Sequence, residues 1–227
     1  EITTRLVGSE MCIRDRLELP RAAFGTVEPD TMRRLAALEG SGFAGVVANN
    51  LAQFGYASPL PVFGGLGLNV TNPMSAAEYV CLGARGLLVQ PETALTAMRA
   101  VAPRQKDGTP VPTAALCYGH LPLMLTRACP LRNVHDCASC RSGGTLRDRK
   151  GRDFIVTCSA PGGAGVRTVY NPVPLYMGER LREMPVDVAI AAFTTETPQR
   201  TAQILAELFA AQPFDSEFTR GLYYTNN

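Results

Sequence analysis

From Leu17 onward, short apolar runs of strand length alternate with stretches of helical periodicity, the pattern of βα units. Six runs read as strands: 17–19, 45–48, 62–68, 86–89, 113–118 and 186–193. A helix over 31–38 is predicted from Met32, Leu35 and Leu38, with Asp30 as its cap and Gly40 as its stop. Ser75 and Glu78 form a capping-box pattern opening a helix over 75–82. Further helices are expected over 93–100, near 175–181, and over 198–210, where Thr197 caps and Pro198 takes the favoured first position. Residues 166–170 read as one more strand. Strand and helix at short intervals predict a parallel sheet, open or closed into a barrel. Six strands are two short of an eight-stranded barrel. The expected fold class is therefore α/β, an incomplete (β/α) TIM-barrel-like domain with a cysteine-rich insertion over residues 126–160.

Composition narrows this little. With 227 residues, 46% of them hydrophobic and 19% charged, the chain can bury one sizeable core or two small ones. No run reaches the length of about eighteen apolar residues needed to cross a bilayer, and the first residues lack the features of a signal peptide. A cytoplasmic protein without a membrane partner is expected. Residues 7–16 match one reading frame of a transposon-end sequencing adapter. Residues 1–16 are thus expected to be adapter-derived, non-native sequence, Cys12 to belong to no site, and the natural N-terminus to be missing.

Candidate chemistry concentrates in residues 129–158. There Cys129, Cys137, Cys140 and Cys158 follow a C-x7-C-x2-C-x17-C spacing. In a reducing compartment such a cluster points to metal binding or catalysis rather than disulfides. Four thiolates suit tetrahedral zinc or an iron–sulfur cluster, and spacing does not choose between them. Cys81 and Cys117 sit among apolar neighbours and read as packing. Seven basic residues between Arg127 and Arg152 face only Asp136 and Asp148, an excess that favours thiolates and could clamp RNA phosphates. Two histidines, His120 and His135, occur, with no H-E-x-x-H or G-x-S-x-G pattern. His120 follows a predicted strand on the face where barrel enzymes keep their sites, whereas His135 reads as support for the cysteines. Asn49 and Asn69 also follow strands and are candidate substrate contacts. The glycine runs 64–67 and 162–165 complete no phosphate-loop motif and read as close backbone packing.

Tyr118-Gly-His-Leu-Pro-Leu-Met-Leu-Thr-Arg-Ala-Cys129-Pro, the Cys137/Cys140 pair, residues 148–154, Cys158 and Tyr170-Asn-Pro-Val-Pro-Leu-Tyr176 together resemble the peptidase U32 family of bacterial, collagenase-like proteins. The resemblance covers the chain from about Leu17 and is strongest over 118–176. It implies a barrel-like catalytic domain with a [4Fe-4S] cluster on Cys129, Cys137, Cys140 and Cys158, a substrate contact from Tyr118, and His120 as the catalytic residue facing the substrate. Relatives carry out oxygen-independent hydroxylation of RNA bases or of a quinone precursor, so RNA or a small molecule is the expected substrate. Peptide hydrolysis, with a peptide substrate, is the alternative that the family name implies. A zinc-stabilised RNA-binding module is the non-enzymatic one.

Overall fold

The computed structural model describes residues 15–22, 24, 27–56, 58–133, 136–137, 140, 143–159 and 165–225. Strands β1 (Arg16–Glu18), β2 (Gly45–Ala48), β3 (Val62–Gly64), β4 (Ala84–Leu88) and β5 (Thr113–Gly119) follow one another as parallel neighbours. The chain then leaves the sheet to build β6 (Pro122–Thr126), β7 (Gly143–Arg147), β8 (Asp153–Cys158) and β9 (Arg167–Tyr170), a separate antiparallel sheet in the order β6-β9-β8-β7. It returns through the two-residue β10 (Leu175–Tyr176), antiparallel to the end of β5, and closes with β11 (Val188–Ala192), parallel to β5 along its other edge. Six parallel strands in chain order, curled into a half-barrel, are what the alternating pattern predicts.

Helices α1 (Val27–Ala36), α2 (Pro73–Cys81), α3 (Leu95–Met98) and α4 (Pro198–Phe209) lie in the crossovers or after the last strand. The main core gathers Val70, Val89, Met98, Ala115, Cys117, Tyr176, Ile204 and Leu208. Tyr176 stacks on Phe214 with ring centroids 4.6 Å apart and donates its hydroxyl to the Gln212 carbonyl at 2.6 Å. Burying such a ring contributes roughly 1.5–3 kcal/mol, and the aromatic pair about another 1. Among the described residues no helix is long and apolar enough to cross a membrane.

Several boundaries differ from the sequence expectation for identifiable reasons. The first helix begins at Val27, because Pro29 fits a first turn, where no N–H is needed. Asp30 is therefore inside the helix, paired with Arg33 at 2.8 Å, rather than its cap. The cap of α2 is Asn72, whose Oδ1 accepts from the Ser75 N–H at 2.9 Å. Thr93 is buried with its hydroxyl unpaired among the described residues, and the cap position falls on Ala94, so the helix there is only the single turn of α3. Residues 175–181 divide between β10 and a 3-10 stretch at Gly178–Glu183, because pairing with β5 overrides the helical pattern.

The third strand stops at Gly64, and a 3-10 turn at Leu66–Leu68 follows. Close contact explains it: a Cβ on Gly67 would stand 2.1 Å from the Asn49 carbonyl oxygen. Gly119 is needed for a second reason. With φ at 138° and Ala192 O only 2.5 Å from where its Cβ would be, it lets β5 end against β11 and turn out toward β6.

Candidate functional site

The concave side of the half-barrel encloses a cavity of about 590 Å³, the size of a small-molecule site. Its walls are apolar and aromatic, from Phe63, Leu88, Leu116, Ile190 and Phe193. The Arg16 guanidinium lies 4.0 Å over the Phe63 ring. At the ends where parallel strands finish stand Arg21 after β1, His120 after β5 and Thr194 after β11, while Asp15, Arg16 and Thr113 line the cavity where strands begin. Barrel enzymes place their chemistry at the ends where strands finish. The Arg21 Nε and Thr194 Oγ1 atoms are buried without a hydrogen-bond partner among the described residues. Both are therefore spare groups beside the cavity.

His120 lines this cavity, half-buried. Its Nδ1 lies 2.6 Å from the Asn171 carbonyl oxygen. A carbonyl only accepts, so Nδ1 carries the proton and the neutral ring keeps its lone pair on Nε2. Tyr118 is placed differently. It is 2% exposed, packs against Phe193 and Phe214, and does not line the cavity. Its hydroxyl donates to Glu196 Oε1 at 2.8 Å.

Burial pushes the Glu196 carboxyl up, but donors from the Thr194 backbone, the Tyr118 hydroxyl and the Thr195 backbone outweigh it and hold the pKa below its ordinary value of 4.5. A carboxylate with a depressed pKa stabilises the fold above its unfolded-state value, and that contribution disappears as pH falls through the folded value. Thermal melts should therefore place Glu196→Gln below the wild type by roughly 1 kcal/mol at neutral pH, discounted for partial exposure. The two should converge at pH well below 4.5. A gap that persists there contradicts the assignment.

Asn49 is 2% exposed. Its Nδ2 donates to Glu18 Oε1 at 2.9 Å and Leu19 O at 2.8 Å, and its Oδ1 accepts from the Gly67 N–H at 2.9 Å. The amide ties β1, β2 and the turn after β3 together, and both of its donor hydrogens are used. Asn69 is exposed in the left-handed conformation (φ 53°), and its Oδ1 accepts from Gln90 Nε2 at 2.6 Å. Neither asparagine lines the cavity.

The cysteine insertion is built on the antiparallel sheet. Cys158 ends β8 directly opposite Arg167 of β9, so the two side chains share a face with Val156 and Val169. Two turns bring the remaining thiols over that face, one closed by Arg132 N–H to Cys129 O at 3.2 Å and one by Cys140 N–H to Asp136 O at 3.0 Å. Leu131 pins the loop by packing on Val156 and Val169. Cys129, Cys137, Cys140 and Cys158 consequently line one small cavity of about 20 Å³, together with Leu131, Gly143, Val156 and Arg167. That is space for a guest the size of a single water or ion. Among the described residues no three Cys, His, Asp or Glu side chains converge closely enough to hold a metal as they stand. A bound centre would have to draw the loop thiols in, or push them outward around a larger cluster. The Cys140 thiol meanwhile lies 3.7 Å from the Gly143 carbonyl oxygen.

Arg167 is 4% exposed. Nη1 donates to the Arg127 and Gly165 carbonyls at 2.6 and 2.7 Å, and Nε is buried without a partner among the described residues. A buried cation without a counter-charge costs several kcal/mol in rough terms, and the groups beside it are thiols. A negatively charged four-thiolate centre fits this surrounding. Of the other cysteines, Cys117 is buried with its thiol pushed up to about 11 by burial, an inert packing group. Cys81 is exposed at the last position of α2, so it does not pack as its apolar neighbours suggest.

Strand β9 joins the two cavities. Arg167 faces the cysteines, while the next residue, Thr168, and Tyr170 line the half-barrel cavity. Alternation along one strand thus puts the thiols and the concave cavity on opposite faces of the same sheet. Sequence reasoning missed Arg167, Thr168, Tyr170 and Thr194. The alternating stretch 167–170 was the available signal, but only the pairing with Cys158 gives its two faces a meaning. His135, Arg141, Cys12 and most of the adapter-like stretch and of glycine run 162–165 lie outside the described residues. In the basic segment, Arg147 pairs with Asp153 at 2.7 Å and Arg152 with Glu217 at 2.8 Å.

No protein-family model matches the chain, and no curated protein matches it. Among solved structures, that of the U32 peptidase Mk0906 is similar over 82% of this chain and 72% of that one, with 13% sequence identity and a TM-score of 0.44.

Proposed function

We propose that this chain is a U32-family protein, the substrate half-barrel and cysteine centre of a cytoplasmic iron–sulfur enzyme that hydroxylates an RNA base or a small quinone-precursor-like ring. The observation supporting this most directly is that the four cysteines line one cavity on the far face of β9, whose Thr168 and Tyr170 line the substrate-sized cavity. Cys129, Cys137, Cys140 and Cys158 would hold a [4Fe-4S] cluster, which when bound supplies one-electron transfer. The chain's own residues do the rest. His120, oriented by the Asn171 carbonyl, offers Nε2 to a substrate proton or donor. Thr194 Oγ1 and Arg21 Nε are free to bind polar edges of a ring. Phe63 and the apolar wall accept its face.

The alternative readings have less support. A Cys–His peptidase would need a reactive thiol near His120, and the sequence-adjacent Cys117 is buried with a raised pKa. An RNA-clamping zinc module would draw on the basic segment, in which Arg147 and Arg152 are engaged by Asp153 and Glu217.

Cells grown without oxygen and expressing the wild-type chain should accumulate an RNA base or quinone precursor with one added oxygen atom, read by mass spectrometry, the oxygen and two oxidising equivalents coming from a hydroxyl-donating organic co-substrate that is reduced in the step. His120→Ala should lower that product about 100-fold or more while bound iron is unchanged. Cleavage of denatured collagen that survives removal of iron and is lost in His120→Ala would instead establish the peptidase.

A further inference from the structure

We propose that Arg167 is the resident counter-charge of the four-cysteine centre and donates its Nε–H to a sulfur held there. The inference rests on the reading that these thiolates carry a metal centre. It goes beyond that reading by assigning a residue outside the ligand set. Arg167 lines the cysteine cavity and is almost completely buried. Its hydrogen bonds go to two neutral carbonyls, from Arg127 and Gly165, which fix the guanidinium without neutralising it. No carboxylate among the described residues pairs with it. Its Nε–H is left buried with no acceptor among the described residues. Cross-strand register sets it opposite Cys158, on the face that the thiols share.

Four thiolates around a 2+ core, whether zinc or a [4Fe-4S] cluster, leave a net negative charge. A fixed cation with a free N–H is the complement such a centre lacks in an otherwise apolar surrounding of Leu131 and Val156. Hydrogen bonds to the sulfurs and nearby positive charge stabilise the reduced, more negative state of a cluster, and so raise its potential. The rigid attachment of Arg167 to the Arg127 carbonyl also ties the strand to the segment leading into Cys129. Arg167 acts here as a positioning and tuning residue, not a ligand.

The test uses the whole chain purified without oxygen as wild type, Arg167→Lys and Arg167→Gln. Bound metal is quantified, its loss to a chelator is timed, and the midpoint potential is read by EPR-monitored titration. Arg167→Gln is expected to lose metal at least about tenfold faster. Its midpoint should fall by about 59 mV or more, a tenfold change in a one-electron equilibrium. Arg167→Lys, which keeps the charge but lacks Nε–H, should fall between the two. If Arg167→Gln does not fold, Arg167→Lys decides, and a wild-type midpoint and chelator rate in it overturn the inference. Should the wild type hold zinc, the chelator rates carry the same decision. Unchanged metal retention and potential in both variants overturn this inference alone. A wild-type chain that binds no metal overturns the proposed function as well.

Discussion

Replacing Cys158 with serine is expected to reduce bound iron and sulfide to background and to melt the antiparallel sheet while the half-barrel stays folded. Cys158 is the one thiol of the four on a strand, so it is the fixed point to which the loop thiols are recruited. The sheet has little else to hold it. Its fully buried apolar residues are Leu131, Val156 and Val169, a core far smaller than the cluster under the half-barrel. Small units of this kind depend on staples, and a structural metal can supply on the order of 10 kcal/mol of folding free energy. Hydrogen exchange should show the amides of β7, β8 and β9 losing protection, with those of β4 and β5 unchanged. Cys81→Ser, at an exposed site, is the control and should match the wild type in both measurements.

The second large effect falls on Asn49. Asn49→Ala would leave the Gly67 N–H, the Leu19 carbonyl and Glu18 Oε1 without the partner they now share. At roughly 1–3 kcal/mol for each buried polar group left unpaired, and with some relief by water, a loss of about 3 kcal/mol is expected. Urea unfolding should show the midpoint falling without a change in slope. Gln53, whose Nε2 donates to the Pro20 carbonyl at 2.8 Å and whose Oε1 accepts from the Asn49 N–H at 2.6 Å, belongs to the same junction and should not compensate. Wild-type stability in Asn49→Ala would return this residue to the candidate substrate contacts.

Asn49 shows where the sequence was legible and where it was not. Its position after a strand could be read from the apolar run 45–48, which is β2 to the residue. Whether its amide faces a ligand or joins three strands depends on Glu18, Leu19 and Gly67, which are 31, 30 and 18 residues away in sequence. Local pattern contains no such information. The same holds for Tyr118, whose place in the strand is plain from the run 113–118 but whose hydroxyl is directed to Glu196, 78 residues on. All six parallel strands could be found because a buried parallel strand is apolar on both faces and so leaves a continuous run.

The antiparallel sheet was harder, because β6 and β7 are largely exposed and their residues carry no simple alternation. Read from sequence, that segment is a cysteine-rich insertion followed by one strand at 166–170; in space it is a sheet with a different cavity on each face. The four cysteines could be singled out because four of the chain's seven cysteines fall within thirty residues. Arg167 could not, since a single arginine in an alternating stretch looks like solvated charge until its burial and the state of its Nε are known.

The central claim is that Cys129, Cys137, Cys140 and Cys158 carry a [4Fe-4S] cluster behind the strand that walls the half-barrel cavity. Iron and acid-labile sulfide, counted in the wild-type chain purified without oxygen, test it most directly. A brown protein with about four irons and about four sulfides per chain is expected. A colourless protein with a single tightly held zinc would contradict it.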